Sequence, residues 1–224
     1  MSPAPELEVV ANEKDAAQRG ADLIASAGRE AVTDHGSFNL AMSGGRTPWA
    51  MLAILSDREE MPWAETSLFQ VDERVASPGS EDRNLTHFIL GLSMQNQAAL
   101  KPMPVTQRDL DAAAREYEES LPEQLDLVHL GLGPDGHTAS LVPDDPVLVV
   151  SDRQVAVTET AYQDYHRMTL TYPALEAARQ ILWLVTGPEK RDPLQKLLAG
   201  DDSIPAGRVR NDAMQIVADE AAAP

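Results

Sequence analysis

The chain contains no cysteine, which excludes disulfide staples, a thiolate nucleophile and cysteine-based zinc sites. Basic residues are also few. Lys and Arg number 18 against 36 Asp and Glu, a formal net charge of -18. A field of that sign repels nucleic acid and anionic membranes. It repels an anionic metabolite at long range as well, so any phosphate site has to be a local concentration of Arg, Lys and backbone N–H groups. No apolar run is long enough to span a bilayer. The N-terminal stretch MSPAPELEVVANEKD lacks a basic region followed by an apolar one. These absences set the expectation of a cytoplasmic protein with neither nucleic acid nor membrane as partner. The histidines, His35, His87, His129, His137 and His166, are scattered, with no HExxH pair. Neither metal nor cofactor is expected from that spacing.

What is present is a core. The 224 residues are 43% hydrophobic, enough for one large domain over 1–224 rather than two small ones. Short apolar runs alternate with amphipathic stretches. Glu6 to Val10, Phe38 to Met42, Leu68 to Val71, Leu125 to Leu130, Ile181 to Val185 and Met214 to Ala218 read as strands. Asp15 to His35 has helical spacing and Gly36 to end it. Pro48 opens a second helix, where its missing N–H is harmless. Asp109 caps a helix running to Leu121, Pro193 to Leu198 forms another, and a short terminal helix follows the last strand. Asp72 to about Asn84 reads as a polar loop. Such alternation argues for an α/β fold, a parallel sheet covered on both faces. Ligands of such sheets bind beyond the carboxyl ends of the strands, which directs attention to the loops at 43–47, 72–74, 131–137 and 187–190.

The first loop, Met42-Ser43-Gly44-Gly45-Arg46-Thr47-Pro48, lies between a strand and a helix. Two glycines let successive N–H groups converge on one anion, and the helix N-terminus adds its positive end. It lacks the GxxxxGK[ST] pattern, and Ala41 stands where a nucleophile elbow needs glycine. The second is Asp72-Glu73-Arg74. The third, Gly131-Leu132-Gly133-Pro134-Asp135-Gly136-His137, follows a buried strand. Its glycines and proline specify a bent loop, and Asp135 is close enough to His137 to orient an imidazole that can take a proton from water. His129 lies within the strand and reads as a core residue. Arg167 and Lys190 are cations such a site would need, and Arg can grip two phosphate oxygens at once.

These segments resemble the glucosamine-6-phosphate isomerase/6-phosphogluconolactonase family, on its lactonase side. The likeness is carried by MSGGRTP (42–48), VDER (71–74), RN (83–84), GLGPDGHTASLVP (131–143), RMTLT (167–171), GPEK (187–190), IPAGRV (204–209) and VADEAAA (217–223), in order. It implies a doubly wound, mainly parallel Rossmann-like sheet and a monomer rather than an oligomer. The implied substrate is 6-phospho-D-glucono-1,5-lactone, hydrolysed in the oxidative pentose phosphate pathway. Carried over by position, Ser43, Gly44, Gly45, Arg46, Thr47, Arg167 and Lys190 bind the phosphate end. His137 is the base with Asp135 beside it, Asp72 and Arg74 line the reacting end, and Asn84 touches substrate or braces the loop. The chain departs from the family at Pro134, and at Val142-Pro143-Asp144, where an aromatic and a glycine are usual.

Two other readings compete. A sugar-phosphate isomerase/deaminase would want the same cradle, Asp72, Asp135 and His137, but after the histidine it carries an Ile-Ala-Phe-Asn-Glu-Pro run whose Glu helps open the sugar ring. This chain has Thr138-Ala139-Ser140-Leu141-Val142-Pro143, without Glu. A sugar-phosphate sensor attached to a DNA-binding element would need a helix-turn-helix. The residues before the cradle read instead as strand plus helix.

Overall fold

A computed structural model describes residues 5–92 and 98–224; the first four residues of the N-terminal stretch read above lie outside them. Strand β1 (Glu6–Val10) leads into α1 (Glu13–His35). Asn12 caps α1 by accepting from the Asp15 N–H at 3.0 Å, and Gly36 ends it at φ 85, donating to Val32 O. Then come β2 (Phe38–Met42), α2 (Arg46–Ser56) and β3 (Thr66–Gln70). Pro48 falls inside the first turn of α2 rather than at its start. The segment expected to be a loop begins as a strand, β4 (Asp72–Arg74), and closes on α3 (Asn84–Gly91). The chain continues through β5 (Ala99–Lys101), α4 (Leu110–Ser120) and β6 (Leu127–Gly131). Asp109 caps α4 as expected, accepting from Ala112 N. Next are β7 (Val155–Val157), β8 (Arg167–Leu170), α5 (Tyr172–Glu176), β9 (Gln180–Val185), α6 (Arg191–Ala199) and β10 (Met214–Asp219).

No terminal helix follows β10. The Asp219 backbone carbonyl and carboxylate accept from Ala222 N and fold the chain into a turn.

The main sheet has seven strands in the order β1-β10-β9-β6-β2-β3-β5, every pairing parallel. Alternate residues of the central strands feed opposite cores, as a doubly covered sheet requires. On β9, Ile181, Trp183 and Val185 join one cluster with Ala113, Tyr117 and Leu194, while Leu182 and Leu184 join the other with Ile24, Met51 and Leu52. Parallel pairing places the carboxyl ends of β2, β6 and β9 together, where the loops singled out above emerge. A second sheet, β4-β8-β7, is antiparallel and three-stranded. It was not foreseen, because strands of three or four residues carry too little periodicity to read. Among the described residues no helix is long and apolar enough to cross a membrane.

His129 is a core residue, as its place in β6 suggested. It is fully buried, and neither ring nitrogen has a hydrogen-bond partner among the described residues. Burial lowers its pKa from 6.5 to about 3, so the folded protein keeps the ring neutral. Below about pH 6.5 the unfolded chain therefore binds a proton that the folded chain does not, and stability falls progressively from there toward pH 3. His129→Leu should remove this contribution. Urea titrations at pH 8 and pH 4.5 should show a smaller acid loss in the variant than in the wild type; equal losses would contradict it.

Candidate active site

The cradle loop is shaped by backbone. Ser43 is pinned beneath it, its N–H and Oγ both donating to His129 O at 3.2 Å. Gly45 precedes α2 at φ 126, a conformation that L side chains rarely adopt, and no side chain caps the helix. The N–H groups of its first turn have no intrahelical acceptor, and Gly44, Gly45, Arg46 and Thr47 all line one cavity of about 360 Å³. A Cβ on Gly44 would overlap the Asn84 side chain, so close approach requires glycine there. The side chains of Arg46 and Thr47 turn to α1 instead. Arg46 Nε and Thr47 Oγ1 donate to Glu13 Oε1 at 2.9 and 2.7 Å. The hydrogen bonds from Thr47 and then Arg46 lower the Glu13 pKa. What this loop offers an anion is N–H groups and a helix end.

The cations come from the small sheet and the turn after β9. Arg74 on β4 and Arg167 on β8 are directly opposite in register, and both line the cavity. Like charges across a strand pair repel. Burial lowers the Arg167 pKa and Arg74 lowers it further, against the attraction of Asp72. Arg167 is almost wholly buried. Its Nε and Nη2 donate to Tyr162 O at 3.3 and 3.1 Å, Nη2 also to Gln163 Oε1, and Nη1 lies 3.9 Å from Asp72 Oδ2. Arg74 Nη1 donates to Asp82 O at 2.6 Å. Lys190 lines the same cavity, with burial lowering its pKa against the pull of Glu189 and Asp135. Its turn is fixed by the Gly187 N–H, which donates to both oxygens of Asp219 in the closing VADE segment.

Buried acids hold these cations in place. Asp72 Oδ2 accepts from Ser140 Oγ at 2.5 Å and Oδ1 from Asn84 Nδ2 at 3.2 Å. With its oxygens so engaged and Arg167 beside it, Asp72 is better placed to orient neighbours than to move a proton. Glu73 is wholly buried. Its Oε1 accepts from Arg74 N and Asn84 N, its Oε2 from Leu85 N and Gln70 Nε2, and Arg83 Nε lies 3.5 Å away. A buried carboxylate needs that many donors to remain charged. One side chain thus ties β4 to the start of α3, and with it Arg74 to Asn84.

His137 stands on the wall formed by the loop after β6. Its Nδ1 is 2.6 Å from Asp135 Oδ1 and its own N–H donates to the same oxygen at 3.1 Å. With Nδ1–H directed at the carboxylate, Nε2 carries the lone pair. Asp135 does not line the cavity; it supports His137 from behind. Burial would raise the Asp135 carboxyl, but the bonds and charge of His137 and the bond from the Tyr162 hydroxyl outweigh it and hold it well below the usual carboxylate range. The IPAGRV segment braces the loop: Ala206 N donates to Gly136 O, and Ile204 packs where a Gly136 side chain would stand. Within the Val142-Pro143-Asp144 stretch, Asp144 takes a left-handed φ of 64. An Asp tolerates that region better than most residues.

All the expected residues therefore line one cavity except Asp135, which holds His137 from outside the lining, while the side chains of Arg46 and Thr47 also bond Glu13. Reading the sequence missed Glu73 as a hub, Ser140 as the partner of Asp72, and Tyr162, Gln163 and Thr186 in or beside the cavity wall. Their signal was faint, because each acts through a partner distant in sequence or through backbone.

The carboxyl edge of the parallel sheet thus brings a histidine–carboxylate pair, a helix N-terminus and the cations Arg74, Arg167 and Lys190 to one cavity. The family model described as glucosamine-6-phosphate isomerases/6-phosphogluconolactonase matches residues 11–218, and the chain belongs to that family. It is 32% identical over 209 residues to a 6-phosphogluconolactonase of Synechocystis sp., covering 88% of this chain and 86% of that protein. It is 33% identical over 213 residues to a 6-phosphogluconolactonase of Mycobacterium tuberculosis, covering 82% and 85%. A crystal structure of a 6-phosphogluconolactonase from Shewanella baltica superposes with a TM-score of 0.87 over 98% of this chain and 99% of that one; at 24% identity it speaks for the fold.

Gly133 faces the pair so closely that an added Cβ would overlap His137 Nδ1 and crowd Asp135 Oδ1. Gly133→Ala should separate them and lower kcat by about a hundredfold, the usual worth of a positioned base, while circular dichroism remains native. A native-like variant with activity within a few-fold of wild type would contradict this geometry.

Proposed function

We propose that the chain hydrolyses 6-phospho-D-glucono-1,5-lactone to 6-phospho-D-gluconate, the lactone-opening step of the oxidative pentose phosphate pathway. The observation that carries this is the meeting, in one cavity, of His137 backed by Asp135 with an anion seat of opposite electrostatic character. The seat is built from the α2 N-terminus, Arg167 and Lys190. A phosphate held there places the lactone carbonyl toward the histidine. His137 Nε2 removes a proton from water as the water oxygen bonds to C1. Charge then develops on the carbonyl oxygen, for which Arg74 or a loop N–H is the donor. As the C1–ring-oxygen bond breaks, His137 returns its proton to the leaving oxygen, giving the open acid. The reading takes residues 1–224 as one domain, supported by the two apolar clusters sharing a single sheet, acting as a monomer in the cytoplasm.

Freshly prepared lactone, assayed at neutral pH with chelator present and the spontaneous rate subtracted, should be hydrolysed by the wild type. His137→Ala should reduce kcat by about a hundredfold or more. No rate above background would sink the proposal, and full activity in the variant would remove His137 as base. Lys190→Ala should raise KM about tenfold with little change in kcat, the loss of one charge-assisted contact made equally to substrate and transition state. An unchanged KM would place the phosphate elsewhere.

A further inference from the structure

The connection between β7 and β8, residues 158–166, is a hairpin that reaches over the His137 loop. At its tip Tyr162 N donates to Tyr165 O at 2.9 Å and Tyr165 N to Tyr162 O at 3.3 Å. Gln163 and Asp164 between them both have left-handed backbones, φ 50 and 69. Tight hairpins need that geometry, and glycine or asparagine ordinarily supplies it. Here two other residues hold it beside a functional site, where such strain tends to concentrate.

The turn brings Tyr162, beside the cavity lining, into contact with both the His137–Asp135 pair and Arg167. Its hydroxyl donates to Asp135 Oδ2 at 2.9 Å and lies 3.3 Å from His137 Nδ1. Its ring meets the imidazole edge-on, with centroids 5.1 Å apart at 63°. Its carbonyl accepts from Arg167 Nε and Nη2, and the Arg167 guanidinium carbon sits 5.1 Å from its ring centroid. Burial and the Asp135 carboxylate push the phenol up to about 12, so it remains a donor at neutral pH.

We propose that Tyr162 is a positioning residue for the hydrolysis: it holds the second oxygen of Asp135 so that the first stays on His137 Nδ1, and it ties that pair to Arg167 of the anion seat. The proposal rests on the reading of His137 as the base. A carboxylate gripped by imidazole at one oxygen and phenol at the other cannot swing about its side chain. Released from the phenol, Asp135 would be free to turn toward water or Lys190. The charged and titratable groups around His137 are Asp135 on its own loop and Tyr162 on the hairpin. Lys190 of the turn after β9 acts on Asp135, and Arg167 of β8 acts on Tyr162.

The test is Tyr162→Phe in the full chain. We expect kcat to fall about tenfold, the effect of one hydrogen bond to a charged group, with KM within about twofold. Asp135, no longer held on Nδ1, stabilises the imidazolium less, so the acid limb of the kcat/KM profile should move down by about half a pH unit. NMR titration of the His137 ring in the unliganded protein should move in the same direction, and that readout does not depend on turnover. Unchanged kcat with an unchanged histidine titration would overturn the proposal. So would a raised KM and lowered Tm with the titration unmoved, the mark of a purely structural tyrosine. A wild type without lactonase activity would sink the hydrolysis reading instead, while the NMR comparison would still decide the Tyr162 contact.

Discussion

For a chain with a net charge of -18 to bind an anion, it must reverse its own field locally, and the pairing of β4 with β8 gathers the cations for this. Arg74 and Arg167 stand opposite each other in register, an arrangement that repels unless something negative lies near. The protein supplies that negative charge at close range. Asp72 lies beside Arg167, and Glu73 grips the backbone of Arg74, Asn84 and Leu85. Both arginines and Asp72 line the cavity. Remove the buried acids, and the small sheet would lose both the register that opposes the arginines and the tie to α3 that seats Asn84 against the cradle.

The His137–Asp135 pair hangs on a different frame. The loop after β6 is bent by glycines whose missing side chains are required by its neighbours: Gly133 faces the His137–Asp135 contact and Gly136 faces Ile204. The two frames meet through β8 and the hairpin before it, since Thr169 Oγ1 accepts from Ser140 N and Ser140 Oγ donates to Asp72. Motifs scattered from residue 42 to residue 223 thus become one connected set of hydrogen bonds. The closing VADE segment matters because Asp219 shapes the turn that presents Lys190.

Much of this was legible in the sequence. Strands Glu6–Val10 and Phe38–Met42 occur with the boundaries expected: Phe38–Met42 is largely buried and reads as a nearly continuous hydrophobic segment, while the part-exposed edge strand Glu6–Val10 mixes glutamates with its apolar residues. The loops at their carboxyl ends could be located by the same logic, and His137 and Asp135 stood out by spacing. The small sheet was not legible. Asp72-Glu73-Arg74 looks like a polar loop, because burial of Glu73 depends on donors from residues 70 to 85 that no local pattern announces. Tyr162 was missed for a related reason. Its turn carries Gln163-Asp164 rather than the Asn-Gly that signals a hairpin, and its partners are 25 and 27 residues away. The terminal helix failed because helix propensity in an alanine-rich tail yields to the Asp219 turn.

The central claim is that the anion seat and the histidine pair act on the two ends of one substrate. The most direct measurement compares kcat/KM for the phosphorylated lactone with that for glucono-1,5-lactone lacking the phosphate, under identical conditions. The account predicts a preference of about a thousandfold or more, since a phosphate held by several charge-assisted contacts contributes at least about 4 kcal/mol toward the transition state. Equal kcat/KM for the two lactones would contradict it, because the cations gathered at such cost in this acidic chain would then have no part in the reaction.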